Sequence, residues 1–341
     1  MEHPLSKNQH KFKFLLVTTS LLTVIIFFLS INAGYIQIPL NEVMATLLGQ
    51  GTEQNELTIF SFRLPRIILA LLVGIGISVS GAILQGVSQN PLADPGILGI
   101  NSGAGFAVVL YMFFFQGTAF FSGAFSIFIM PLSALVGAFV AALFIYFLSW
   151  KKGQVTPVRL LLVGIGINAA FGAGLIIFQM KMEPIDFTKA LIWLSGTIWG
   201  TNWTYVLALI PWLLILIPFA IFKSRFLDVL RLGDPIAIGV GVQIERERRT
   251  LLFVAVALAG ACVSVGGGIT FLGLIAPHIA RRLVGAKHAR ILPLTVCIGA
   301  LLLLSADTLG RVIMAPMEIP VGLVVSILGA PYFIYLLIKT V

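Results

Sequence analysis

Apolar residues along this chain gather into long unbroken runs, not into strand-like alternation or a one-sided helical stripe. The runs cover 14–33, 64–86, 97–116, 124–149, 158–180, 204–222, 249–266, 270–284, 291–309 and 320–338. Most approach the roughly 20 apolar residues that carry an α-helix across a bilayer. Within lipid every backbone N–H and C=O must find a partner inside the protein, which helices achieve on their own. The pattern therefore predicts an all-α polytopic protein of about ten transmembrane helices. Residues 187–199 predict a short extra helix at a membrane surface. The first run reads as a spanning helix and not as a cleaved leader, because 31–35 offers no convincing small-residue cleavage site.

Two hydrophilic stretches interrupt the runs. One, 41–56, is acidic; the other, 223–249, is dense in both charges. The second lies between the sixth and seventh runs and reads as two short helices broken near Gly239–Gly241, where glycine permits a tight turn. No linker or short-period repeat divides the chain, so 1–341 is expected to form a single transmembrane domain.

Composition sharpens this picture. The 341 residues are 59% hydrophobic and 10% charged, with a mean hydropathy of +1.05. Soluble domains carry about 25% charged residues, and a water-soluble surface cannot hide so large an apolar surplus. The net charge of +9 builds no continuous basic face, so nucleic acid is excluded as a partner. Placing the N-terminus in the cytoplasm leaves Arg63, Arg66, Lys181, Lys189 and Arg311 as the basic residues at external ends, out of 22 Lys and Arg. That bias follows the positive-inside rule and puts both termini in the cytoplasm.

Candidate chemistry is sparse inside the runs. Gly74, Ser78 and Ala82 repeat at four-residue spacing, as do Ser133, Gly137 and Ala141; small residues so spaced let helix backbones approach closely in lipid. The same reading covers Gly74-x-Gly76, Gly164-x-Gly166 and Gly266–Gly268, since no Gly-x-x-x-x-Gly-Lys-Ser/Thr is present. The chain is not expected to bind ATP, and no catalytic residues are assigned. Cys262 and Cys297 fall in separate runs and read as packing. His278 and His288 lack a third ligand at metal spacing and read as structural, and Met180, Met182, Met314 and Met317 read as packing. Of the acidic residues, Asp307 alone comes close to mid-run, and it lies near an outer end. Gradient-driven carriers keep ionisable groups at the midplane to bind the coupling ion, so the energy here is expected to come from elsewhere. A gradient-driven carrier and a non-transporting membrane scaffold are the alternatives of another class.

Four motifs sit at run boundaries. They are Arg63-Leu64-Pro65-Arg66; Asn90-Pro91-Leu92-Ala93-Asp94-Pro95-Gly96 with Gly99, Asn101 and Gly103; Leu232-Gly233-Asp234-x-x-Ala237-x-x-x-Gly241; and Phe271-x-Gly273-Leu274-x-x-Pro277-His278-x-x-Arg281, followed by Asp307-x-x-x-Arg311 and Glu318-x-Pro320-x-Gly322. In this order, from about Arg63 to Lys339, they resemble the FecCD family of bacterial importer permeases, which covers iron–siderophore, haem and cobalamin systems. The resemblance implies a ten-helix, non-catalytic subunit in the bacterial cytoplasmic membrane. It implies two cytoplasmic ATPase subunits that use the ATP, a second permease copy (identical or related), and an extracytoplasmic binding protein that delivers the ligand. No cofactor is expected on the chain itself. An iron(III)–siderophore chelate is the expected cargo, with haem or cobalamin as the alternative.

The resemblance also assigns residues. Arg63, Arg66 and Arg311 match positions that dock acidic residues of the binding protein; the competing reading pairs Arg311 with Asp307 at i, i+4. Asp234, Ala237, Gly239 and Gly241 fall in the stretch that couples to the ATPase, within 223–249, although Pro235 and Ile238-Gly239 depart from the usual polar residues. Asn90, Leu92, Thr156 and Pro157 match the cytoplasmic gate, with Pro157 replacing an expected small hydroxyl residue. A reporter fused at Lys152 is expected to report from the cytoplasm; an external signal would reverse the assignment of sides.

Overall fold

The computed structural model describes residues 4–34, 38–115, 126–151 and 153–340. The reporter position Lys152 and the start of the 124–149 run lie outside the described residues. The described chain is helical almost throughout: α1 (Pro4–Asn32), α2 (Leu40–Leu47), α3 (Glu53–Glu56), a π-helical turn (Leu57–Arg63), α4 (Leu64–Val87), α5 (Ile100–Phe115), α6 (Ser126–Ser149), α7 (Pro157–Gln179), α8 (Pro184–Leu194), α9 (Trp203–Phe222), α10 (Ser224–Leu230), α11 (Asp234–Gly239), α12 (Ile244–Gly266), α13 (Leu272–Val284), α14 (His288–Ile313) and α15 (Val321–Thr340). Two short strands, β1 (Trp150–Lys151) and β2 (Gln154–Val155), pair antiparallel between α6 and α7.

Each of the ten apolar runs is occupied by a helix. Among the described residues, 8 helices are long and apolar enough to cross a membrane. The other two runs hold α5 with 16 residues and α13 with 13, both short of the roughly 20 that a crossing needs. Their shortness has a local cause. Pro91, Pro95 and Gly99 (φ +90°) break the backbone ahead of α5, and Gly267 and Phe271, both at positive φ, break it ahead of α13. Irregular backbone is tolerated at membrane depth where protein buries it, and Ala93, Asp94 and Ile269 are indeed buried.

The elements sort by burial into a core and a jacket. The most apolar stretch of α4 is 78% buried and that of α12 is 72% buried, against 11% for α1 and for α7. The small-residue stripes explain how α4 reaches the centre. Gly74 and Ser78 of α4 lie directly on Gly299 of α14, and Gly81 lies on Gly273 of α13. Gly137 and Ala141 of α6 lie against Gly103 of α5 in the same way. At these crossings a methyl group on either helix would occupy space held by the other's backbone.

Four boundaries differ from expectation. The acidic stretch 41–56 folds as α2 and α3, and α3 runs on through the π-helical turn into α4 as one 35-residue rod, Glu53–Val87. Pro65 at the head of α4 has no N–H to give the preceding turn, so the register there widens. The surface helix is α8, starting earlier than 187 and stopping before 199; Pro184 opens it and Gly196 (φ +76°) follows its end, a common pairing of start and stop signals. The charged stretch does form two short helices, but the break between them is at Gly233 (φ +92°). Gly241 (φ +81°) instead separates α11 from α12. His288, expected on a loop, is the first residue of α14 and fully buried.

The stripe crossings generate a prediction. Gly299→Leu forces α14 away from α4 and is expected to cost several kcal/mol, more than the ~1–3 typical of an overpacked core, because the obstacle is backbone. Gly166→Ala, which meets open space, serves as the neutral control. Folded yield and thermal midpoint in detergent distinguish the two.

Candidate functional site

Charge in this molecule concentrates at the two ends of the bundle. One end, the loop end, carries the β1–β2 hairpin and the segment 223–243. The other, the rim end, carries the N-terminal head of α4 and the C-terminal end of α14.

At the rim end, Asp307 of α14 is buried and takes two arginines. Arg66 Nε lies 2.9 Å from its Oδ1, and Arg311 Nε lies 3.1 Å from its Oδ2. Arg66 Nη1 also reaches Glu318 at 2.7 Å. Arg311 donates to the Ala33 carbonyl at 2.9 Å and to the Ser30 hydroxyl, while Arg63 donates to the Ile31 carbonyl at the end of α1. The structure thus brings the three arginines together, as the sequence placed them, and the Asp307–Arg311 i, i+4 pair forms. It turns them inward: Arg63 and Arg311 are buried and Arg66 is half-buried. Three arginines against Asp307 and Glu318 leave this cluster with one excess positive charge. The partner missing from the sequence reading is Arg66–Asp307, a pair 241 positions apart that only the α4–α14 crossing creates.

At the loop end, two ion pairs and one carboxylate–imidazole contact fasten the charged segment to the bundle. Lys223 Nζ lies 2.7 Å from Glu247 of α12. Asp228 of α10 accepts from the His288 backbone N–H at 2.9 Å and pairs with its Nδ1 at 2.6 Å, while the same imidazole abuts Gly86 of α4. Burial works against the Asp228 charge, but the His288 side-chain and backbone hydrogen bonds, with the nearby Arg231 charge, hold its pKa below the usual aspartate value. Arg248 of α12 fans out to the Val155 carbonyl at 2.6 Å, Glu245 at 2.8 Å and Asp234 at 3.0 Å.

The residues matched to coupling fall on α11 and just after it. Ala237 is buried and Asp234 is held by Arg248, whereas Gly239 and Gly241 are exposed. Around them Leu232, Ile236, Ile238 and Val240 are each more than half exposed, at 58%, 53%, 65% and 63%. Four large apolar side chains on one charged segment form a ridge of the kind that marks a protein contact. Ile238, one of the departures noted in the sequence, is part of that ridge.

The residues matched to the gate border this segment from two sides. Asn90 Oδ1 accepts from the Leu92 N–H at 2.8 Å, shaping the turn after α4, and neighbouring Gln89 donates to the Leu230 carbonyl of α10 at 2.7 Å. Thr156 caps α7 in extended conformation with Pro157 as its first residue, directly after the Val155 that Arg248 holds. Pro157 therefore suits its position, since a first-turn residue has no helical acceptor for an N–H. Buried Asp94, which sequence reading quoted without a role, accepts from the Gly96 N–H at 2.7 Å and lies against Gly273, joining this turn to α13. His278 pairs with Tyr332 at 2.6 Å.

With this geometry in view, the FecCD transport family matches residues 22–339. The chain belongs to this family. It is 57% identical over 324 residues to the iron(3+)-hydroxamate import system permease protein FhuG of Bacillus subtilis (strain 168), covering 95% of this chain and 96% of that one. It is 35% identical to the Fe(3+) dicitrate transport system permease protein FecD of Escherichia coli (strain K12), over 91% and 94% of the two chains. A solved metal-chelate type ABC transporter in an inward-facing conformation shares 30% identity and superposes with a TM-score of 0.83, over 96% of this chain and 99% of that one. The FecCD chain is accordingly a multi-pass permease subunit of the ABC-transporter class.

The Asp228–His288 contact carries its own prediction. Because the carboxylate pKa is lowered, its stabilising contribution is fully present above the ordinary aspartate range and is lost only as pH falls through the lowered value. Asp228→Asn is expected to speed amide hydrogen exchange in α10 about tenfold at neutral pH, the low end for a charge-assisted hydrogen bond that is partly exposed. Unchanged exchange would show that α10 is held by its apolar face alone.

Proposed function

We propose that this chain is the permease of a bacterial ATP-driven importer that passes an iron(III)–siderophore chelate, of the hydroxamate class, across the cytoplasmic membrane. The observation that carries this reading is the 57% identity with FhuG across 95% of the chain. The relatives extend to a hemin permease, HmuU of Yersinia pestis, at 38% identity over 82% of this chain, which keeps haem as the second reading.

The geometry fits a subunit that does no chemistry of its own. The apolar ridge on α11 faces away from the bundle at the loop end, where the bias of basic residues places the cytoplasm, and it suits a cytoplasmic ATPase that hydrolyses the ATP. Asp234, Ala237, Gly239 and Gly241 shape that ridge. At the rim end Arg63, Arg66 and Arg311 would receive acidic groups of a binding protein, with Glu318 the displaceable partner because its side chain is a third exposed. In α7 the most apolar stretch is only 11% buried; a second permease subunit packed there would enclose a pathway between the two copies, with Asn90, Leu92, Thr156 and Pro157 closing its inner end. The pathway needs no fixed charge if the iron travels chelated.

The test is reconstitution of the permease with its ATPase subunits and binding protein in proteoliposomes, offering ferric hydroxamate, ferric citrate and haemin. ATP-dependent accumulation of ferric hydroxamate is expected, and Gly241→Arg, which adds bulk at a positive-φ turn, should abolish it. Preferential uptake of haemin would replace the substrate assignment, and accumulation driven by an ion gradient without ATP would overturn the importer reading altogether.

A further inference from the structure

We propose that Arg248 is the positioning residue through which displacement of α11 reaches the head of α7, and so the inner end of the pathway. The inference rests on the reading of α11 as the ATPase-facing element. Nothing in the sequence motifs singles Arg248 out; the argument is geometric.

The Arg248 side chain is almost completely buried, with a relative exposure of 2%, yet its three partners belong to three separate elements. Asp234, the first residue of α11, is bound at 3.0 Å. Glu245, in the first turn of α12, is bound at 2.8 Å. The Val155 carbonyl of β2 is bound at 2.6 Å. Glu245 closes the arrangement from the other side, accepting the Val155 N–H at 3.3 Å. Both backbone polar groups of Val155 are therefore held by the same acid–base pair that holds α11, and the Val155 side chain is itself buried.

The next two residues leave little slack. Thr156 is extended (φ −88°, ψ 144°), and Pro157 begins α7. Proline fixes its own φ and keeps the preceding residue extended, so the link from Val155 to the helix spans about 7 Å at ~3.3–3.6 Å per residue. A stiff strut of this length transmits a shift of Val155 to α7 without absorbing it. The guanidinium is also the right coupler. Its planar fork fixes the directions of several acceptors at once, whereas an ammonium is a point charge with freely rotating donors.

Stability alone does not call for such a residue, since a buried ion cluster is often matched or bettered by apolar side chains of similar volume. The neighbouring contacts do not duplicate it. Lys223–Glu247 joins the end of α9 to α12, and Asp228–His288 joins α10 to α14; neither touches α7 or the hairpin before it. Arg248 is the described contact that joins α11 to the β2–α7 strut.

The experiment compares wild type, Arg248→Lys, Arg248→Met and Glu245→Gln in the full reconstituted complex. The readouts are co-purification of the ATPase subunits, ATP hydrolysed, and ferric hydroxamate accumulated per ATP. The expected result is a chelate-per-ATP ratio lowered at least fivefold in both Arg248 variants, and by less in Glu245→Gln, with the ATPase still bound. If Arg248→Met does not fold, Arg248→Lys and Glu245→Gln decide the matter, because both keep polar volume at the site. A merely structural Arg248 would lower yield or thermal midpoint while the folded fraction kept its wild-type ratio, and that result overturns the proposal. Loss of the ATPase from the variants would make Arg248 part of the docking surface and equally overturn it. Failure of wild type to move any chelate sinks the importer reading first, and is distinguishable because it needs no variant.

Discussion

A backbone in lipid has no water to turn to, and much of this molecule follows from that constraint. Helices satisfy their own amides, so the chain folds as a bundle of them. Side chains that face lipid gain nothing from burying one another, so the core forms where backbones touch: Gly74 and Ser78 on Gly299, Gly81 on Gly273, Gly137 on Gly103. Where the helix is interrupted, at 88–99 and 267–271, the exposed amides are taken inside the protein, and side chains such as Asp94 and Asn101 are bound there to backbone groups. Charge is driven to the two ends of the bundle, where water and the ion pairs described above can hold it.

Those ends share a construction. Each centres on a deeply buried charge with oppositely charged or carbonyl partners drawn from different elements, Asp307 at the rim and Arg248 at the loop. Removing a charge of this kind from water costs several kcal/mol, which its ion pairs only partly offset. Such clusters are poor general stabilisers but strict geometric ones, because no partner can move without stranding the others. In the importer proposed above, this strictness would make helix ends move together.

The sequence showed the architecture well and the connections poorly. Ten apolar runs became ten helices, because length and hydropathy are local properties. The stripes at Gly74 and Gly137 were readable for the same reason, although their partners Gly299 and Gly103 were not. The rim arginines were legible as a set from their position at run ends, whereas their inward turn onto Asp307 depends on an α4–α14 crossing that no local pattern encodes. At the loop end the segment 223–249 stood out by its charge, but the break fell at Gly233 and not at Gly239–Gly241. Several glycines in that stretch had equal claim to a turn, and the choice between them came from Arg248 pinning Asp234. Arg248 itself looked like one more positive-inside charge among Arg246 and Arg249. Its burial is what separates it from them.

Two routes leave the loop end, and they differ in stiffness. Gln89 hangs the turn after α4 from α10 by a single side-chain hydrogen bond to the Leu230 carbonyl, a contact with rotatable bonds on one side. The route through Arg248 to Val155 is doubly bonded, buried, and continued by a proline-headed helix. Motion imposed on 224–242 would therefore reach α7 more faithfully than it reaches the turn at Asn90. α7 is also, level with α1, the least buried of the helices long enough to cross a membrane, at 11% in its most apolar stretch. The doubly bonded linkage ends on a lightly buried helix, while α4, the most buried, is anchored by its glycine crossings. On the importer reading proposed above, that pairing would put the moving part of the pathway at the α7 side and the fixed part along α4.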